Sequence, residues 1–181
     1  MELSQYNSKF SIQNKIGRIL WSFCYILLFR PFNHSIFKKW RNLILRSFGA
    51  KIARSAHIYA NVKIWAPWNI EVGEHSCLGP QVDCYNQGKI TIGNNTVISQ
   101  KAYLCASTHD YTIASFPLIC KPIVIEDKVW IAADSFIGPG VTIGTGAIVG
   151  ARSAVFKNVE SWTVVGGNPA KVIKKRIIET K

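Results

Sequence analysis

Acidic residues are scarce in this chain. Ten Asp and Glu stand against 22 Lys and Arg in 181 residues, a formal net charge of +12. That imbalance favours an anionic partner, whether nucleic acid, an acidic membrane surface or a phosphate-rich small molecule. No RNA- or DNA-binding motif accompanies the charge and the basic residues cluster at the two ends, so nucleic acid is not the expected partner. Cysteine is sparse and poorly spaced. Cys24, Cys77, Cys84, Cys105 and Cys120 are odd in number and form no CxxC pair. This argues against a disulfide framework or a zinc site and for reduced thiols in the cytoplasm, with no metal expected. Long apolar runs are missing as well. Residues 19–29 are apolar, but a bilayer span needs about 20 such residues. The run also lacks the small-residue cleavage site of a secretory signal.

What is present divides the chain in two. Apolar residues make up 48% of it, enough for a packed core. Residues 1–48 read as a helical segment, because Ile16, Ile19, Leu20, Phe23, Leu27 and Leu28 recur near helical spacing up to the break at Arg30-Pro31. Residues 36–48 form a second, basic amphipathic helix, mixing Lys38, Lys39, Arg41 and Arg46 with Phe37, Trp40 and Leu43. Two roles compete for residues 16–48. They cover the end of a repeat domain or pack on a neighbouring subunit, as solenoid ends require. Alternatively they make peripheral contact with the inner face of an anionic membrane.

From Gly49 onward a fixed period of six takes over. Ile125, Ile131, Ile137, Ile143, Val149 and Val155 are all aliphatic. Four residues after each stand Val129, Ser135, Val141, Ala147, Ser153 and Val159, all small or β-branched. Ile52, Ile58 and Ile64 keep the same step. Val72, Leu78 and Cys84 follow after a two-residue slip, and Ile92, Ile98 and Leu104 after another. Six residues make a short strand and a corner, so three units close a triangular coil of 18 residues. Successive coils then hydrogen-bond at strand spacing, about 4.8 Å. The slips mark where coils bend. Gly138, Gly144, Gly150, Asn94 and Asn95 suit corners that need unusual backbone angles. The expected fold is mainly β, a parallel β-helix over residues 49–160 with a short C-terminal segment at 161–181.

Units such as Ile137-Gly138-Pro139-Gly140-Val141-Thr142 and Ile143-Gly144-Thr145-Gly146-Ala147-Ile148 resemble the hexapeptide repeat of bacterial acyltransferases. The resemblance covers about residues 49–176 and implies a left-handed β-helix. Four phrases resemble one branch in particular, the colanic-acid-type acetyltransferases of surface-polysaccharide biosynthesis. They are Phe48-Gly49-Ala50-Lys51-Ile52, Ala66-Pro67-Trp68-Asn69, Ser107-Thr108-His109-Asp110 and Gly166-Gly167-Asn168-Pro169-Ala170-Lys171. Such relatives use acetyl-CoA, work as homotrimers and hold the cofactor along the coils between neighbouring subunits.

The ladder breaks once at length. Leu104 to Ile125 is 21 residues where 18 would keep phase, so an excursion near 105–124 leaves the coil with His109 at its start. Histidine can accept a proton near neutral pH, which a sugar hydroxyl must lose as it attacks a thioester. In relatives a histidine in this interruption is the general base, so the resemblance assigns that role to His109. Asp110, adjacent in sequence, is poorly placed to orient the ring; a backbone carbonyl or a distant carboxylate suits that task better. Asp83, Tyr85 and Asn86, in a coil that departs from the aliphatic pattern, are candidates with Asp110 for hydrogen bonds to a sugar, or form an ordinary polar corner. By resemblance Trp130 flanks the acetyl or pantetheine end, and Ala133 and Ala151 offer backbone groups to the pantetheine arm. Lys157, Lys171 and Lys174 suit the phosphates of coenzyme A. Ala132 stands where the family often has glycine. His57 and His75 read as solvated corner residues, and His34 lies in the helical segment.

The resulting expectation is a cytoplasmic O-acetyltransferase that moves an acetyl group to a sugar hydroxyl. A non-sugar or amine acceptor would use the same base chemistry, and a non-catalytic β-helix that binds or scaffolds is the reading from another class.

Overall fold

A computed structural model describes residues 10–179. Residues 1–9 of the expected helical segment and residues 180–181 of the C-terminal segment lie outside that range. The repeat winds into a parallel β-helix of about six turns with triangular cross-section. Its first face stacks the strands Lys51–Ile52, Ile70–Val72, Ile90–Ile92, Ile123–Ile125 and Thr142–Ile143. Its second stacks His57–Ile58, Cys77–Leu78, Val97–Ile98, Trp130–Ile131, Ile148–Val149 and Thr163–Gly166. Its third stacks Lys63–Ile64, Asp83–Tyr85, Tyr103–Cys105, Phe136–Ile137 and Ala154–Val155. All these pairings are parallel, and the second face ends in an antiparallel strand, Lys171–Lys175.

Every aliphatic ladder position named from the sequence is buried, as are the small residues four places later. The alternation follows from the pleat: one residue of each two-residue strand points inward and stacks on its counterpart in the next coil. Coil length departs from the expected 18. Lys51 pairs with Glu71 and Asp83 with Tyr103, twenty residues on, while Trp130 pairs with Ile148, eighteen on. The two-residue slips all fall at one place, the corner from the third face to the first. There the first coil makes the short turn Pro67–Asn69, and the second inserts its extra residues beyond Tyr85.

The corner glycines act differently from expectation. Gly138, Gly144 and Gly150 do not take left-handed backbone angles; those fall on Gly140, Gly146 and several ordinary residues, including His75, Asn95 and Arg152. Gly144 is required by closeness instead. A Cβ there would stand 2.5 Å from the Ser161 amide nitrogen in the next coil, which no side chain can tolerate without movement. His57, read as a corner residue, lies on a strand of the second face with its ring stacked on Tyr59 at 4.7 Å.

Stacking creates an edge. Each coil's N–H groups donate to the carbonyls of the next: Ala53 N to Val72 O, His57 N to Ser76 O, Tyr59 N to Leu78 O, and Trp65 N to Cys84 O. The corresponding carbonyls of the first coil are Ile52, Ala56, Ile58 and Ile64, and among the described residues no earlier coil serves them. The N-terminal helices supply donors from side chains. They are α1 (Ile12–Cys24), prolonged by a π-helical turn at Tyr25–Phe29, and α2 (Lys38–Ser47). Arg46 Nε reaches Ile52 O, Asn42 Nδ2 reaches Ala56 O, Arg41 Nε reaches Ile58 O and Trp21 Nε1 reaches Ile64 O, all at 2.7–2.8 Å. Arg41 also donates to Phe32 O and His34 O, and is 1% exposed. Residues 38–48 therefore cap the coil stack, one of the two roles expected of them.

Arg41→Ala removes donors from three carbonyls, so at least one is left buried without a partner, at about 1–3 kcal/mol each. Urea unfolding of this variant is expected to lose about 3 kcal/mol or more, whereas Arg54→Ala at an exposed corner should stay within about 0.5 kcal/mol of the parent.

Candidate active site

The third-to-first corner grows down the stack until, in the third coil, it becomes the excursion. Tyr103 of that coil pairs with Phe136 of the next, thirty-three residues on. The inserted chain is ordered as an antiparallel hairpin, Ser107–His109 against Leu118–Cys120, with Ser107 opposite Cys120 and His109 opposite Leu118. Ser107 is buried at its base, Leu118 is buried opposite His109, and His109 is exposed. The hairpin root is held by Ala106 N to Tyr85 O and Lys121 N to Ala106 O.

That root crosses directly over Gly88. A Cβ on Gly88 would lie 2.7 Å from the Ala106 carbonyl oxygen and 3.0 Å from that of Lys121. The sequence pattern did not single Gly88 out. A glycine in the inserted corner one coil before the excursion was the available signal.

His109 is fixed by the hairpin's return strand. Its Nδ1 lies 2.7 Å from the carbonyl oxygen of Phe116. A carbonyl can only accept, so the proton sits on Nδ1 and the lone pair on Nε2. The backbone carbonyl thus holds the tautomer that a general base at Nε2 needs. Asp110 is engaged locally: its Oδ1 accepts from Thr112 N at 3.0 Å and Thr112 Oγ1 at 2.5 Å, bonds that hold its carboxyl below the usual range. It closes the hairpin turn.

The polar coil residues part company. Asn86 is fully buried; its Oδ1 accepts from Trp65 N and Ala66 N, and its Nδ2 donates to Ala66 O. Its placement as a sugar contact is corrected accordingly: the side chain stitches the inserted corner to the coil before it and is closed to any ligand. Asp83 is half-buried and faces Lys63 at 3.6 Å. The Tyr85 hydroxyl accepts from Gln87 Nε2 at 2.9 Å. Its ring belongs to a ladder on the third face, Trp65–Tyr85–Tyr103–Phe136–Phe156, with centroids 5.5–6.4 Å apart.

The residues matched to the cofactor lie elsewhere. Trp130 is 47% exposed on the second face and donates from Nε1 to Ser99 Oγ at 2.9 Å. Ala133 and Ala151 sit one coil apart at the second-to-third corner, where Ala133 O accepts from Arg152 N. Ala132 has no left-handed backbone and pairs its N–H with Val149 O, so alanine fits there. Lys174 continues the second face in register beyond Val164. Lys157 and Lys171 line a cavity of about 430 Å³ at the C-terminal end with Asn158 and Pro169. Lys175 is held by Glu160 at 3.0 Å. In triangular section the corner bearing the hairpin is opposite the second face. His109 and Trp130 therefore leave the coil stack on different sides of one chain. Among the described residues no cluster of His, Cys, Asp and Glu could hold a metal ion.

Substituting Asn86→Ala is expected to cost about 2–4 kcal/mol in denaturant unfolding, because the buried Ala66 N–H loses its acceptor and the Ala66 carbonyl its donor, while Trp65 N–H keeps Cys84 O. Gly88→Ala is expected to displace the hairpin, detectable as a shifted His109 imidazole resonance in NMR.

Residues 122–157 match the family model "Bacterial transferase hexapeptide (six repeats)". A protein of Escherichia coli K12 described as "Putative colanic acid biosynthesis acetyltransferase WcaF" is 48% identical over 139 residues, spanning 77% of this chain and 76% of its own. The hexapeptide-repeat acetyltransferase VCA0836 of Vibrio cholerae, solved with acetyl coenzyme A, superposes with a TM-score of 0.81 at 26% identity, covering 98% of this chain and 97% of its own. A galactoside acetyltransferase in complex with coenzyme A shares the fold, with a TM-score of 0.83 at 22% identity over 96% of this chain and 88% of its own. With its coil ladder, its interrupted third coil and these likenesses, the chain belongs to the hexapeptide-repeat acetyltransferases.

Proposed function

We propose that the protein transfers the acetyl group of acetyl-CoA to a sugar hydroxyl during surface-polysaccharide biosynthesis, with His109 as general base. The observation that carries this reading is the Phe116 carbonyl on His109 Nδ1, which fixes the tautomer whose lone pair is on Nε2, in an exposed hairpin. His109 Nε2 removes the hydroxyl proton as the oxygen attacks the thioester carbonyl. The tetrahedral intermediate then expels the coenzyme A thiolate, which takes that proton from the imidazolium. An ester and free coenzyme A result, and no acyl-enzyme is needed. The sugar acceptor and the polysaccharide setting rest on the likeness to the WcaF branch.

The coenzyme would lie along Trp130, Ala133 and Ala151, with its phosphates towards Lys157, Lys171 and Lys174. Because the hairpin and Trp130 leave on opposite sides, a complete site joins the hairpin of one subunit to the second face of the next. A closed homotrimer satisfies that requirement for every subunit. The hairpin tip suits a contact of this kind, since Tyr111 and Ile113 are exposed apolar side chains there. Asp83 and Tyr85, on the coil beneath the hairpin root, are the remaining candidates for hydrogen bonds to the acceptor. The five thiols, none of them in a disulfide, fit the cytoplasm as the place of reaction.

Turnover of acetyl-CoA with glycan acceptors, followed by thiol release, tests the assignment. His109→Ala is expected to lower kcat about 10²–10⁴-fold with the acetyl-CoA KM little changed, and Trp130→Ala to raise that KM. Wild-type turnover in His109→Ala would remove the general base, and calorimetry without coenzyme A binding would overturn the enzymatic reading.

A further inference from the structure

Helix α1 carries apolar residues on both sides. Its inner side is used: Trp21 and Phe29 are buried, Gly17 lies against the Trp68 ring and the Arg18 guanidinium stacks on Trp65 at 3.9 Å. Its outer side should then be polar, as on ordinary surface helices. Instead Ile12, Ile16, Ile19, Leu20, Phe23 and Leu27 follow one another at helical spacing along it, each between 53% and 74% exposed. The helix that carries the ridge runs the 18 residues from Ile12 to Phe29, about 27 Å at helical rise. Beside its far end the Trp40 indole donates to Leu28 O. No helix among the described residues is long and apolar enough to cross a membrane.

The charge around this ridge has one sign. Lys15 on the same helix and Arg30 just after it are exposed, as is Lys39, the residue before Trp40 on α2, and no Asp or Glu stands between Glu2 and Glu71. A second copy of the chain is a poor occupant for such a face. Two ridges packed together would bring these cations close with no carboxylate of their own to neutralise them. The occupant has to be apolar and anionic at once. We propose that α1 lies in the headgroup region of an anionic lipid surface, its apolar ridge among the acyl chains and its Lys and Arg on the phosphates. The π-helical turn and α2, anchored on the first coil, would fix the enzyme's N-terminal end against that surface.

Co-sedimentation of the full-length protein with vesicles is the test. One set is phosphatidylcholine with about a third phosphatidylglycerol, the other phosphatidylcholine alone. The wild type is expected to partition onto the anionic vesicles at least about tenfold more strongly, and to be released by high salt. Phe23→Glu with Leu27→Glu should lower partitioning about tenfold or more. Lys15→Gln and Lys39→Gln should each lower it about fivefold. Thermal melting followed by circular dichroism checks that each variant remains folded. The proposal fails if the wild type stays in the supernatant with anionic vesicles, or if the Phe23 and Leu27 double variant partitions as the wild type does. It also fails if sedimentation velocity shows that this double variant dissociates an assembly while the wild type ignores vesicles, for then a second copy covers the ridge.

Discussion

Each coil of this protein is hydrogen-bonded only to its neighbours, so every coil depends on another to satisfy its backbone. A strand of two residues has no stability alone. What holds it is an N–H to carbonyl bond to the next coil and an aliphatic side chain stacked on its counterpart. Among the described residues the first coil meets this constraint without a preceding coil. Arg46, Asn42, Arg41 and Trp21 place side-chain donors where a further coil's amides would stand. The N-terminal helices are therefore a structural continuation of the solenoid in different chemistry. The presence of Arg41 and Asn42 in the core follows from the same need, because both are polar yet almost wholly buried.

The same dependence limits where the chain can be interrupted. Two corners keep a near-constant length down the stack, and the third absorbs every insertion. It takes extra residues after Ile64 and after Cys84, and then the hairpin after Cys105. Growth at one edge leaves the two other edges continuous, so the ladder on all three faces survives. The hairpin is seated by what the preceding coils put beneath it, the Tyr85 carbonyl that accepts from Ala106 and the bare Cα of Gly88. His109 gains a defined tautomer because the return strand brings Phe116 O back to its ring.

Much of this was legible in the residues. A period of six with aliphatic side chains at fixed phase specifies stacked short strands whatever surrounds them. The long interval between Leu104 and Ile125 announces an excursion for the same reason. Corner chemistry was less legible. Gly144 and Gly146 read alike in the sequence, yet one is needed for closeness to Ser161 and the other adopts a left-handed angle. Asn86 read either as a hydrogen-bonding contact to a sugar or as part of an ordinary polar corner, because an amide in an irregular coil fits both; only the neighbouring coil reveals that Trp65 and Ala66 already occupy it.

By itself the sequence determined the solenoid, the place of its interruption and the histidine within it, because these depend on local periodicity and residue type. The tertiary structure decided how the parts relate. It put all insertions on one corner, set that corner opposite Trp130, and turned the two N-terminal helices into a cap for four orphaned carbonyls, three of them served by the basic helix. It also left the outer ridge of α1 apolar and exposed. Those outcomes depend on which residues of different coils and helices come to lie side by side, and that follows from the winding of the whole chain, which no local pattern encodes.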